Sequence, residues 1–72
     1  MRHTEKNWRV RWKVIGLEFE DFWACNPRDY RTTAGAAIAL ADKITERPGF
    51  VAEVQRKLDG KWGHFLIRQY TR

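Results

Sequence analysis

Between Thr33 and Arg47 the apolar residues recur every three or four positions: Ala34, Ala37, Ile38, Ala41 and Ile44 form one stripe, with Leu40 beside it. That period describes a helix that offers one face to a core. Thr32 or Thr33 supplies an N-cap hydroxyl, and Pro48-Gly49 ends the helix. The stripe is mostly alanine, which lets the helix approach a sheet closely, so the bulk of the core must come from the sheet side. Trp8, Trp12, Phe19, Phe50 and Phe65 can supply it.

On both sides of the helix the period changes to two. Trp8, Val10, Trp12 and Val14 point one way and Arg9, Arg11 and Lys13 the other, the pattern of a half-buried strand. Leu17-Glu18-Phe19-Glu20 alternates again. A two-residue turn at Ile15-Gly16 would pair Val14 with Leu17 and Trp12 with Phe19. The same register sets Lys13 against Glu18 and Arg11 against Glu20, opposite charges across a ladder. Two features resist it: Ile15 suits a positive-φ turn position poorly, and Asp21 calls for a bulge or the end of the strand. Cys25-Asn26-Pro27-Arg28-Asp29 has the composition of a turn.

Beyond the helix, Val51 to Leu58 and Trp62 to Tyr70 flank Asp59-Gly60, a type I′ hairpin signal. Counting back from Leu58 opposite Lys61 puts Val54 against Phe65 and Ala52 against Ile67. Phe50, Ala52, Val54, Phe65 and Ile67 then share the core face. The expected fold is α+β: a ββαββ chain forming a four-stranded antiparallel sheet of order 2-1-3-4, with one helix at about 33–47 on one face. Residues 1–7 read as a polar tail and 8–72 as a single domain.

Seventy-two residues allow one domain, and a chain of that size buries only roughly 60% of its unfolded surface. A hydrophobic fraction of 43%, with four Trp, still supports a core. The single cysteine, Cys25, excludes an intramolecular disulfide and a cysteine-based zinc site. No apolar run has the length of a membrane span, and no signal-peptide core follows the charged N-terminus, so the cytoplasm is the expected compartment. Fourteen Lys and Arg against nine acids give a net charge of +5. That balance suits attraction to a polyanion, and it equally serves solubility.

Groupings that would carry catalysis are weak. Cys25 with His3 or His64 would need thiol and imidazole within hydrogen-bond reach and a third group to orient the base. His3 falls in the tail, and His64 on the sheet face away from the helix. Glu18 and Glu20 share a strand face, but cationic partners lower a carboxylate's pKa and make it a poor general acid. The glycines are scattered and form no phosphate loop, and no metal motif is present. The expectation is a protein that is not an enzyme and carries no cofactor and no metal.

What remains is surface. The sheet face away from the helix is expected to carry Trp62, His64, Leu66, Arg68 and Tyr70. Aromatics with an Arg are typical of protein-binding hot spots, unless long Lys and Arg stems cover them. The leading reading is a non-enzymatic module that binds a protein partner, either a host protein or a second copy. An open sheet edge would permit homo-oligomer formation. The alternative is nucleic-acid binding by Arg9, Arg11, Lys13 and Arg68 beside these aromatics, cations following phosphates and rings stacking on bases. The RRM pattern of adjacent aromatics and glycine is absent. A membrane partner is not expected.

Ala36-Ala37-x-Ala39-Leu40-Ala41, Thr45-x-Arg47-Pro48-Gly49, Val51-x-x-Val54 and Asp59-Gly60-x-Trp62 together resemble segments of small uncharacterised proteins of actinobacteria and their phages. The resemblance covers about half the chain. It implies a short accessory protein, phage-encoded, that acts by contact with a host protein or with itself, and it carries no site residue across.

Overall fold

The computed structural model describes residues 5–15 and 23–70. The first strand, β1, spans Trp8–Val14. A single 3-10 turn at Pro27–Asp29 leads into the two-residue strand β2, Tyr30–Arg31. The helix α1 covers Ala34–Ile44, and the strands β3, Phe50–Leu58, and β4, Lys61–Gln69, complete the chain. The sheet is antiparallel with order β2-β1-β3-β4, and α1 packs on one of its faces. This is the expected α+β arrangement.

The helix starts where its sequence nominated but ends sooner: Ile44 is its last residue and Thr45 its C-cap, ahead of the expected end at Arg47. Thr33 is the N-cap, its hydroxyl accepting from the Ala36 amide at 3.1 Å. At the other end Thr45 donates its amide to Ala41 O, and the chain turns through Gly49 at φ 87°, a left-handed conformation that costs glycine nothing. Ala37 and Ala41 are wholly buried against Val10, Ala52 and Val54. Trp8 and Trp12 flank this small centre, Trp12 tilted against Phe50 at 5.5 Å between ring centroids and Trp8 meeting Phe65 edge-on at 4.8 Å. Bulk therefore does come from the sheet, as an alanine-faced helix requires. Phe19, also expected in this core, lies outside the described residues.

The first hairpin differs from the expected register. On its outer edge Trp12 exchanges both backbone hydrogen bonds with Ala24, at 2.9 and 2.8 Å, in the position the expected register gives to Phe19. Farther along, Arg9 pairs with Tyr30 and Trp8 with Arg31. The segment Ala24–Arg31 thus takes the place assigned to Leu17–Glu20, and Leu17–Glu20 and the Asp21 irregularity lie outside the described residues. Asn26 and Asp29 hold the corner of this segment: the Asp29 amide donates to Asn26 O and the Asp29 carboxylate accepts from the Asn26 amide. Arg11 faces Glu53 of β3; Glu20, its expected partner, lies outside the described residues.

The second hairpin turns where expected, with Asp59 at φ 53° and Gly60 at φ 78°, the pair of positive values a type I′ turn demands. Its register holds from Leu58↔Lys61 to Gln55↔His64 and then shifts, for the next pair is Val54↔Leu66. Phe65 is the extra residue, a β-bulge that reverses the phase of β4 beyond it. Val54 therefore opposes Leu66, not Phe65, and Ala52 opposes Arg68, not Ile67. Phe65 and Ile67, expected in the core, are 41% and 49% exposed. Asn7, placed in the tail by sequence, is tied down: its carbonyl accepts the Lys57 amide at 2.8 Å.

Candidate interaction surface

Cross-strand pairing assigns every side chain of the sheet to a face. Val10, Ala52, Val54, Leu66 and Arg68 belong with the helix; Arg9, Arg11, Lys13, Val51, Glu53, Gln55, Lys57, Trp62, His64 and Ile67 belong to the opposite, helix-free face. The bulge splits the set expected on that open face. Trp62 and His64 are there. Leu66 packs into the core, Arg68 turns to the helix and donates to Asp42 at 2.9 Å, and Tyr70 lines a shallow pocket with Asp42 and Thr45. Arg68 likewise leaves the basic set, whose other members, Arg9, Arg11 and Lys13, all lie on the open face.

The open face is built in two rows. In one, the Arg9 guanidinium lies 4.3 Å above the Trp62 ring, donates to Gln55 Oε1 at 2.6 Å and to the Tyr30 hydroxyl at 3.3 Å. Tyr30 in turn meets Trp62 edge-on at 5.5 Å, and Lys57 approaches the same indole at 5.9 Å. In the other row Arg11 and Lys13 stand over Trp23 at 4.5 and 4.9 Å. Arg11 also donates to Glu53 Oε1, and Glu53 Oε2 lies within hydrogen-bond distance of His64 Nδ1, at 2.6 Å.

Glu53 sits at the centre of this lattice and is only 6% exposed. A carboxylate at that depth is tolerated because both oxygens are occupied, one by a guanidinium and one by an imidazole. Val51 and Gln55 are buried on the same face. Long cationic stems and indole rings shield them, in the way expected of snorkelling side chains. The stacked pairs are favourable because a cation is attracted to the electron-rich ring face.

Trp23 and Tyr30 are not among the residues the sequence places on this face. Glu53 and Gln55 were legible as an outward pair on β3, opposite Arg11 and Arg9 once β1 is laid beside β3. Trp23 and Tyr30 had no periodicity around them to reveal their face.

Cys25 lies at the margin of this lattice, beside Tyr30. Its thiol donates to Val10 O at 3.4 Å, and partial burial pushes its pKa up, with Arg9 pulling the other way. A raised thiol pKa leaves less thiolate, the reverse of what a nucleophile needs. Among the described residues no group of three His, Cys, Asp or Glu side chains is placed to hold a metal, and no helix is long and apolar enough to cross a membrane. Family models, curated proteins and solved structures yield no match to this chain.

Proposed function

We propose that this chain is a non-enzymatic binding module whose helix-free sheet face takes single-stranded nucleic acid. The observation that carries the reading is the interleaving on one face of Arg9, Arg11, Lys13 and Lys57 with Trp23 and Trp62, each cation within 6 Å of a ring. Phosphates would follow the cations, and bases would stack on the indoles or on the guanidinium planes that cover them. A net charge of +5 adds long-range attraction.

The test is fluorescence anisotropy of a labelled oligothymidylate against salt. Neutralising three or four phosphates gives a log–log slope of about −2 to −3 on a single strand. Lys13→Gln with Lys57→Gln, both surface changes, reduces that slope by about 1.4. Trp62→Ala costs about tenfold in affinity or more at every salt concentration. Absent binding, or binding indifferent to salt and to these changes, overturns the reading.

A second reading is favoured by the row Tyr30, Arg9 and Trp62, whose residue types are those that dominate protein-binding hot spots. It fits a short accessory protein that acts by contact with a host protein. Salt-insensitive capture of one specific partner, abolished by Trp62→Ala, would support it over nucleic-acid binding.

A further inference from the structure

Among the described residues the two edges of the sheet are unlike. β2, at one edge, has two residues; β4, at the other, has nine, contains no proline and carries the exposed Phe65 and Ile67. A short edge gives little template for another strand, whereas a long apolar one is a ready template. The bulge at Phe65 would ordinarily blunt such an edge, because the halves of β4 on its two sides are out of phase: Trp62 and His64 face the open side before it, Ile67 and Gln69 after it.

We propose that β4 pairs antiparallel with β4 of a second copy, about a two-fold axis between Phe65 and Leu66. In that register Trp62 faces Gln69 of the second copy, Gly63 faces Arg68, His64 faces Ile67, and Phe65 faces Leu66. Every pair then joins side chains of the same sheet face, because the axis relates the two out-of-phase halves to each other. Shifting by one residue in either direction puts His64, on the open face, opposite a residue of the helix face.

The charges agree with this register. Lys61 lies opposite Tyr70 and Arg68 opposite Gly63, so no Lys or Arg meets another, and Phe65 and Leu66 of both copies gather at the axis beside Trp8. A two-fold axis requires a self-complementary strand, and the bulge sets that axis between Phe65 and Leu66. The product is one continuous eight-stranded sheet whose two open faces lie side by side. The inference stands on the edge strand alone and does not depend on what the open face binds.

Sedimentation of the intact chain from about 1 μM to about 1 mM, without nucleic acid, should show reversible dimers. Ile67→Lys, at an exposed position, should return the chain to monomer with its circular dichroism unchanged. Register is read by cross-linking in a Cys25→Ser background. Gly63→Cys with Arg68→Cys should give a covalent dimer on mild oxidation, and space exists at Gly63, where an added Cβ meets nothing within 4 Å. Gly63→Cys with Ile67→Cys, on opposite faces, should not. A monomer across the whole range overturns the proposal, as does a dimer that cross-links equally through both pairs or ignores Ile67→Lys.

Discussion

The two faces of this sheet exclude water by different means. Toward the helix the buried side chains are small, Val10 and Val54 being the largest wholly buried ones, and the cover is a helix with an alanine stripe. Away from it, Glu53 and Gln55 are nearly as well buried, yet they are held by Arg11 and Arg9, which stack on Trp23 and Trp62. A sheet with one helix thus need not leave its other face bare. Long amphipathic side chains serve as a second layer. The first face relies on non-directional packing, the second on directed hydrogen bonds and stacking, so the second is the more exacting about which residues may stand in it.

Arg11→Ala tests that contrast most severely. It strips Glu53 of its guanidinium and Trp23 of its stacked cation, and should cost about 3 kcal/mol in chemical denaturation, in the range for a buried carboxylate left without its cation. The paired change Arg11→Met with Glu53→Leu should recover much of that loss; a double variant as unstable as Arg11→Ala would show that packing, not the charge, holds this face. On the helix face Val54→Ala should cost about 2 kcal/mol, two methyl groups with a residual cavity. Its effect should be the same at low and high salt. Arg68→Ala removes an exposed ion pair with Asp42 and should change stability by less than about 0.5 kcal/mol; a larger loss would mean that the helix is pinned to β4 by charge as well as by packing.

Much of the fold was legible because its local signals are unambiguous. The helix carries a period of its own, a hydroxyl at Thr33 and a Pro48-Gly49 stop. Asp59-Gly60 permits only the few turn geometries with two positive φ values, and the structure uses one of them. The outer partner of β1 was not legible. Leu17–Glu20 alternates as a strand should, and nothing in the sequence shows that Ala24 and Tyr30–Arg31 pair with β1, because an edge that short has no period to display.

The open face was half legible for one physical reason. Strand alternation is a relative phase, and a single extra residue inverts it for everything downstream. Arg9, Arg11 and Lys13 precede any irregularity and were placed correctly, as were Trp62 and His64. Leu66, Arg68 and Tyr70 follow the bulge and were placed on the wrong face. The signal was present in Phe65-Leu66-Ile67, three consecutive apolar residues that no uninterrupted alternation can accommodate in a strand with one wet face.

That extra residue also bears on how such a protein can change. Substitutions alter this surface one side chain at a time, whereas loss of the Phe65 codon would remove the bulge and leave Leu66 opposite Val54 and Ile67 opposite Glu53. Leu66 and Arg68 would stay on the helix side, and Ile67 and Gln69 on the open face. A three-nucleotide deletion at this position thus changes the length of the strand without carrying any remaining side chain to the other face. The bulge is where β4 can give up a residue while the surface it presents is kept.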